Sequence, residues 1–210
     1  MGSVASDVPG QNAQLAELYL SWAGPATVAE FVAWSRLGKR AAAAALSGLD
    51  TLALRIEGSD APAFMMASGA ESQLAAATTA DNRVHLVPST DNMLTLRGGP
   101  MMLADAAHAD RQLLAMGGRR VSLEKARWVH ERLVVRDGNW IGVWAWDFEA
   151  QQVLVGYFGD PGADVRAAGE AAADALRPFI ADELGGRARC NSVDGDAGQR
   201  RRIASVRGYV

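Results

Sequence analysis

The segment spanning residues 24–49, GPATVAEFVAWSRLGKRAAAAALSGL, constrains the fold more than any other part of the sequence. Thr27 and Glu30 have the Thr-x-x-Glu spacing of a capping box, which predicts that a helix starts directly after Thr27. Gly38 can adopt a positive φ and therefore suits a tight turn. The alanine run from Ala41 favours a further helix, because alanine is the strongest helix former. The segment thus predicts two short helices separated by a turn.

The flanking sequence extends this unit into a small domain. An amphipathic stretch from Gln11 predicts a preceding helix that ends at Gly24-Pro25. DTLALRIEG alternates apolar and polar residues as a strand does, SDAP predicts a turn, and AFMMAS predicts a returning strand. Three helices followed by a hairpin is the order of a winged-helix domain, which we predict over residues 12–80.

The second half of the chain predicts a different architecture. RVHLVPST is strand-like, Ser122 is a candidate cap for a short helix, and Asp137-Gly138 is a hairpin-turn pair. Strands on either side of that pair predict a β-meander. A later amphipathic stretch predicts a covering helix, kinked at Pro178. The predicted fold class is therefore α+β, with a winged helix followed by a β-rich module over residues 81–186 and its C-terminal helix.

Composition limits the class of protein. The single cysteine, Cys190, cannot form an internal disulfide, which favours a reducing compartment, and no apolar run approaches the length of a membrane span. The first residues, MGSVASDVPGQ, lack the pattern of a secretory signal. We therefore expect a cytoplasmic protein. The sequence contains no cluster with metal-ligand spacing and no nucleotide-binding glycine motif, so we predict no metal and no cofactor.

Charge is distributed unevenly along the chain. Residues 187–210 contain six arginines and two aspartates, a net charge of +4, so the preceding residues carry −7 of the total of −3. A body of this charge is not a general polyanion binder, because duplex affinity depends mainly on neutralising phosphates. Any DNA contact must come from a local basic patch. We predict that the glycine- and arginine-rich tail, residues 187–210, is flexible.

Three motifs in order carry a resemblance to a known family. GPATVAEFVAWSRL, LVPSTDNMLTLRG and LVVRDGNWIGVWAWD resemble landmarks of the winged-helix DNA-binding proteins that include bacterial crosslink-repair DNA glycosylases. The resemblance extends over about residues 12 to 184. Family members are usually longer, and this chain resembles their later winged helix and β module without the first unit.

The resemblance implies no catalytic residue for this chain. The glycosylase members use a Gln-x-Gln or Gln-x-Asp motif, which we expect to lie in the portion that this chain lacks. The nearest pair, Gln11 and Gln14, has the wrong spacing. We therefore predict a protein that is non-catalytic on its own.

Two sets of cations are candidate DNA ligands. Arg36, Lys39 and Arg40 flank the predicted turn and the start of the third helix, where recognition helices approach the major groove. The alternative is that they are solvated charges on a scaffold. The tail run Arg200, Arg201 and Arg202 is either a phosphate-seeking arm or a solubilising terminus.

A candidate pocket is predicted from polar and aromatic residues. Asp91 and Asn92 either line it or cap the chain, while Trp140, Trp144 and Trp146 share one face of a strand by period two. These tryptophans either stack a ligand or pack beneath the last helix.

Three hypotheses follow. The leading one is a DNA-binding regulator or DNA-repair accessory with double-stranded DNA as partner. The second is an interaction module for a small molecule or a protein that retains the fold without DNA contact. The expected partners also include a protein partner or a second copy of the chain. The third is a fragment of a DNA glycosylase.

Overall fold

The computed structural model describes residues 7–56, 60–77, 83–92, 94, 99–115, 118–125, 129–186 and 195–209. Within them the chain forms two compact units, one ending by residue 77 and the other beginning at residue 83. Helices and strands both contribute substantially, so the α+β class is confirmed. Three parts of the sequence predictions lie outside the described residues: the first residue of the predicted SDAP turn, Cys190 and the first part of the predicted tail.

The first unit consists of helices interleaved with short strands. Its elements are α1 (Val8–Ala23), β1 (Ala26–Thr27), α2 (Val28–Ser35), α3 (Lys39–Ser47), β2 (Thr51–Leu54), β3 (Ala63–Met66) and α4 (Ala70–Ala77). The three strands form one antiparallel sheet in the order β1-β3-β2. The predicted hairpin is therefore present as β2 and β3, with β1 paired on the other side of β3.

Local sequence determines where α2 begins. The Thr27 hydroxyl accepts a hydrogen bond from the Glu30 amide, and the Glu30 carboxylate accepts one from the Thr27 amide. The predicted capping box is thus confirmed. Phe31, one position later, is fully buried with Tyr19 and Leu20 of α1. The cap and the buried aromatic together fix the orientation in which α2 leads into the next turn.

The second unit is built on a four-stranded sheet. Its elements are β4 (Val84–Val87), β5 (Gln112–Leu114), β6 (Arg120–Ser122), β7 (Arg132–Arg136), β8 (Asn139–Asp147), β9 (Gln152–Tyr157), α5 (Ala163–Pro178) and α6 (Asp196–Arg207). The main sheet has the order β4-β7-β8-β9, and β5 pairs with β6 in a separate hairpin. All pairs are antiparallel.

The turn between β7 and β8 follows from its two residues. Asp137 and Gly138 have φ values of 49° and 77°, which is the pair of positive φ values that a type I′ hairpin requires. The predicted hairpin is confirmed. After α5, the chain changes at Pro178 from α-helical geometry to a π-helical turn, Phe179–Glu183, so the predicted irregularity at this proline is present as well.

A bulge in β8 overturns the predicted tryptophan face. Val134 pairs with Gly142 and Val135 with Trp140, so β8 carries one extra residue, Ile141, at this point. A bulge shifts the alternation of side chains by one position. Trp140 therefore packs with Val143 on one side of the sheet.

Trp144 and Trp146 pack on the opposite side of the sheet from Trp140. The prediction that Trp140 shares a face with them is wrong.

The short helix predicted after Ser122 is also wrong. Ser122 ends strand β6, and Leu123–Lys125 form a single turn of 3-10 helix. Residues 126–128 lie outside the described part of the chain, and Val129 forms an isolated antiparallel bridge with Ala115. At Val129, backbone pairing with Ala115 replaces the helix that the local sequence favours.

The C-terminal region differs most from its prediction. Residues 196–207 form helix α6, which packs against β8 and β9. Ile203 and Val206 are buried in the core on the Trp140 side of the sheet, while α5 covers the other side. The prediction of a flexible tail is therefore wrong for this helix, because its apolar residues at positions i and i+3 form a face that the sheet buries.

Candidate nucleic-acid interface

The turn between α2 and α3 presents three cations to solvent. Arg36 ends α2 with a φ of 61°, whereas Gly38 has a φ of −64°. The sequence suggested a positive φ at Gly38, whereas the structure has the positive φ at Arg36. Lys39 and Arg40 are the first two residues of α3. We call Arg36, Lys39 and Arg40 the turn cations.

All three turn cations are exposed. Among the described residues, none of them forms an ion pair with a carboxylate. The start of α3 adds to their charge, because the first amides of a helix lack intrahelical partners and carry a partial positive charge. No side chain caps this helix start. The geometry suits a phosphate group, which accepts hydrogen bonds from both amides and cations.

The rest of α3 offers little to distinguish one base from another. Ala43, Ala44 and Ser47 are exposed, while Ala42 and Leu46 are buried in the unit. Alanine methyl groups neither donate nor accept hydrogen bonds, so direct readout of base edges is weak along this face. The interface therefore favours backbone contacts, which are independent of sequence.

The candidate pocket residues are not brought together. The indole N–H of Trp140 donates to the Gly142 carbonyl oxygen at 2.6 Å, on the α6 side of the sheet. The Asp91 carboxylate accepts a hydrogen bond from the Leu94 amide at 3.1 Å. Asn92 is exposed. Asp91 thus serves as a cap, the second of its two predicted roles.

Trp144, one of the predicted pocket residues, lines a cleft in the described part of the second unit. The cleft has a volume of about 240 Å³. Its lining consists of Leu86, Pro88, Ser89, Thr90, Arg132, Trp144, Leu176, Phe179, Ile180 and Leu184. The Arg132 guanidinium lies 4.7 Å from the centre of the Trp144 ring, a cation-π contact that sequence spacing did not reveal.

The three tail arginines have three different environments. The Arg200 guanidinium lies 3.1 Å from the Glu149 carboxylate. Arg201 is exposed. Arg202 is only 1% exposed, and its guanidinium lies 2.6 Å from the Nε2 atom of His130. The three arginines therefore do not form one exposed basic group, and Arg202 is a core residue of this module.

A buried carboxylate supports the helix that carries these arginines. Glu131 is fully buried and accepts hydrogen bonds from the Leu114 amide, at 2.8 Å, and from the Ser205 hydroxyl. Burial raises the pKa of Glu131, although both hydrogen bonds and the charge of Arg120 oppose the shift. Sequence patterns could not predict this buried group, because its partners Leu114 and Ser205 lie 17 and 74 residues from it along the chain.

Comparison with known proteins identifies the family. The family model of the AlkZ-like DNA glycosylases matches residues 4–179, which is most of the chain. The chain belongs to the AlkZ-like DNA glycosylase family. The resemblance inferred from three sequence motifs is thereby confirmed.

A solved structure supports the same fold for this AlkZ-like chain. The DNA glycosylase AlkZ of Streptomyces sahachiroi superposes with a TM-score of 0.61 at 22% sequence identity. The match covers 82% of this chain but only 43% of the Streptomyces protein. The chain thus spans less than half of that structure. No curated protein matches it.

Two further observations bear on the chemistry of this AlkZ-like chain. Within the part that the structure describes, no three histidine, cysteine or acidic side chains lie close enough together to hold a metal ion. Among the helices so described, none is both long and apolar enough to cross a membrane.

Proposed function

We propose that the first unit is a winged-helix domain and that this chain binds double-stranded DNA through the turn cations. The role is that of a non-catalytic repair accessory or regulator. The element order α1-β1-α2-α3-β2-β3 and the sheet order β1-β3-β2 support the winged-helix interpretation. The observation that carries the proposal is the group of three exposed cations at the uncapped start of α3. They are a local exception on a chain whose net charge is −3.

Replacing the turn cations together tests this proposal. We expect Arg36→Ala, Lys39→Ala, Arg40→Ala to weaken binding of a random-sequence duplex about tenfold or more at low salt, because each lost phosphate contact also removes a released counterion. The salt slope should fall by roughly 3. Fluorescence anisotropy of a labelled duplex measures both quantities.

The matched control removes three exposed cations elsewhere. Lys125→Ala, Arg166→Ala, Arg177→Ala makes the same change of net charge in the second unit. Equal losses of affinity in the two triple variants would show that overall charge, and not the turn cations, causes the loss. An unchanged affinity in the Arg36, Lys39, Arg40 variant would show that the start of α3 does not contact DNA.

A second candidate function is supported by the cleft at Trp144. Its lining is mostly apolar, with Phe179 and Leu184 partly exposed at its edge, and a cleft of about 240 Å³ admits a small apolar ligand. Under this proposal, binding of an apolar ligand in the cleft changes the fluorescence of Trp144. The variant Trp144→Phe removes that change. The duplex titration separates this candidate from the first, because the cleft contains none of the turn cations.

The third candidate is a portion of a DNA glycosylase. The family membership and the 43% coverage of the Streptomyces glycosylase support it. Release of a base from an alkylated duplex by this chain alone would favour this candidate over the non-catalytic role.

A further inference from the structure

A second group of cations lies around a cleft in the second unit. The cleft has a volume of about 250 Å³ and is formed by the β5-β6 hairpin and the C-terminal end of α6. Its lining consists of Arg111, Gln112, Arg120, Ser205, Gly208 and Tyr209. We call it the arginine cleft. None of its residues belongs to the turn cations or to the Trp144 cleft.

The Arg120 side chain is held in place by neutral groups. Its guanidinium donates to the Gln112 carbonyl oxygen at 2.9 Å and to the Ser205 hydroxyl at 3.3 Å. The Tyr209 hydroxyl donates to the same carbonyl oxygen at 2.7 Å. Neither acceptor of the guanidinium carries a charge. These contacts orient Arg120 at the cleft, and the charge of Arg120 also acts on the buried Glu131 carboxylate.

Arg111 and Arg201 add two further guanidinium groups. Both are exposed, and among the described residues no carboxylate forms an ion pair with either. Arg201 precedes the cleft residue Ser205 by one helical turn, so the two share a face of α6. The Arg201 guanidinium lies against the β5-β6 hairpin, with its Nε atom 3.8 Å from the position of a Cβ built on Gly118.

The carboxylate beneath these cations is hidden from solvent. Glu131 is fully buried, and its oxygens already accept hydrogen bonds from Leu114 and Ser205. A ligand that approaches from solvent therefore meets guanidinium groups first. On a chain with a net charge of −3, such a local excess of positive charge needs a specific reason.

A phosphate group matches this arrangement. Guanidinium groups bind phosphate oxygens through paired N–H donors, and both Arg111, next to β5, and Arg120, in β6, line the cleft. We propose that the arginine cleft, with Arg201 beside it, binds phosphate groups of the DNA backbone as a second contact on this chain. This inference rests on the proposed DNA binding but uses residues of a different unit.

A double variant tests the arginine cleft in the full chain. Arg111→Ala, Arg201→Ala removes two exposed side chains and leaves Arg120 with its hydrogen bonds, so the fold should be retained, as circular dichroism checks. We expect duplex affinity at low salt to fall about fivefold or more and the salt slope to fall by roughly 2. Arg166→Ala, Arg177→Ala makes the same change of charge on α5 and should leave both quantities unchanged.

Comparison with the turn-cation variant separates the two proposals. Loss of binding in the turn-cation variant, with full binding in Arg111→Ala, Arg201→Ala, would overturn the arginine cleft and leave the proposed function in place. Loss of binding in Arg111→Ala, Arg201→Ala, with full binding in the turn-cation variant, would support the arginine cleft. It would also show that the turn cations do not contact DNA.

A pyrophosphate titration, followed by amide NMR shifts of Gln112, Gly118 and Gly208, separates the two sources of phosphate. Shifts at these amides, together with an unchanged duplex affinity in the double variant, would assign the cleft to free phosphates and overturn its role on DNA. If pyrophosphate shifts none of these amides and the unaltered chain binds no duplex, the arginine cleft is not a phosphate site.

Discussion

Trp140→Ala is expected to lower the free energy of unfolding by about 3–5 kcal/mol, which is the range for removing a buried tryptophan. Trp140 is fully buried, its indole N–H donates to the Gly142 carbonyl oxygen, and its ring lies 5.8 Å from that of Phe158. Alanine would leave a cavity beneath α6 and would remove the hydrogen bond from the indole to the Gly142 carbonyl oxygen. Urea denaturation of the variant and the unaltered chain measures the loss.

The location of the effect tests the bulge in β8. Because Trp140 packs on the α6 side, its removal should accelerate amide hydrogen exchange in α6. Trp146→Ala is the matched control, since Trp146 packs with Val165 and Ile180 on the α5 side. Faster exchange of α5 in the Trp140 variant would contradict the face that the bulge assigns to this side chain.

Glu131→Ala is the second variant with a large expected effect, a loss of about 3 kcal/mol. The change removes the acceptor of the Leu114 amide and the Ser205 hydroxyl, and unsatisfied buried donors cost about 1–3 kcal/mol each. Glu131→Gln keeps an acceptor oxygen at nearly the same position and should lose much less. Urea denaturation at pH 5 distinguishes the two variants.

The pH dependence of Glu131 has a definite sign. Burial raises its pKa above the ordinary value of 4.5, so the folded state binds this proton more tightly than the unfolded state. The associated stability is present in full below pH 4.5 and is lost as pH rises through the raised pKa. Glu131→Gln cannot titrate, so its stability relative to the unaltered chain should rise as pH increases above 4.5. A difference that stays constant as pH rises above 4.5 would contradict the raised pKa.

Features set by neighbouring residues were predictable from the sequence. The capping box of Thr27 and Glu30 needs only a spacing of three residues, and the turn at Asp137 and Gly138 needs only two residues that tolerate positive φ. Both are local, so tertiary contacts had little to override. The order of helices and strands in the first unit follows from the same kind of pattern.

Features set by pairing between distant segments were not predictable in this way. The bulge at Ile141 is a shift of register against β7, and next to it a Cβ on Gly142 would lie only 2.2 Å from the Gly156 carbonyl oxygen in β9. Nothing in the alternation of β8 itself indicates that contact. A shift of one residue was enough to divide the predicted tryptophan face.

The C-terminal helix shows where composition misleads. Its arginines and glycines indicated a flexible tail, yet Ile203 and Val206 have helical spacing and are buried. That apolar pair was the available sign of a packed helix. The arginine cleft had no such sign, because Arg120 and Ser205 are 85 residues apart in the sequence.

The salt dependence of duplex binding by the unaltered chain tests the central claim most directly. A titration of random-sequence duplex between about 20 and 200 mM salt should give a linear plot of log affinity against log salt, with a slope of roughly −3 or steeper. Duplexes of different sequence should bind almost equally, because the outward face of α3 is mostly alanine. Absence of binding at the lowest salt, or binding that salt does not weaken, would contradict DNA contact through phosphates.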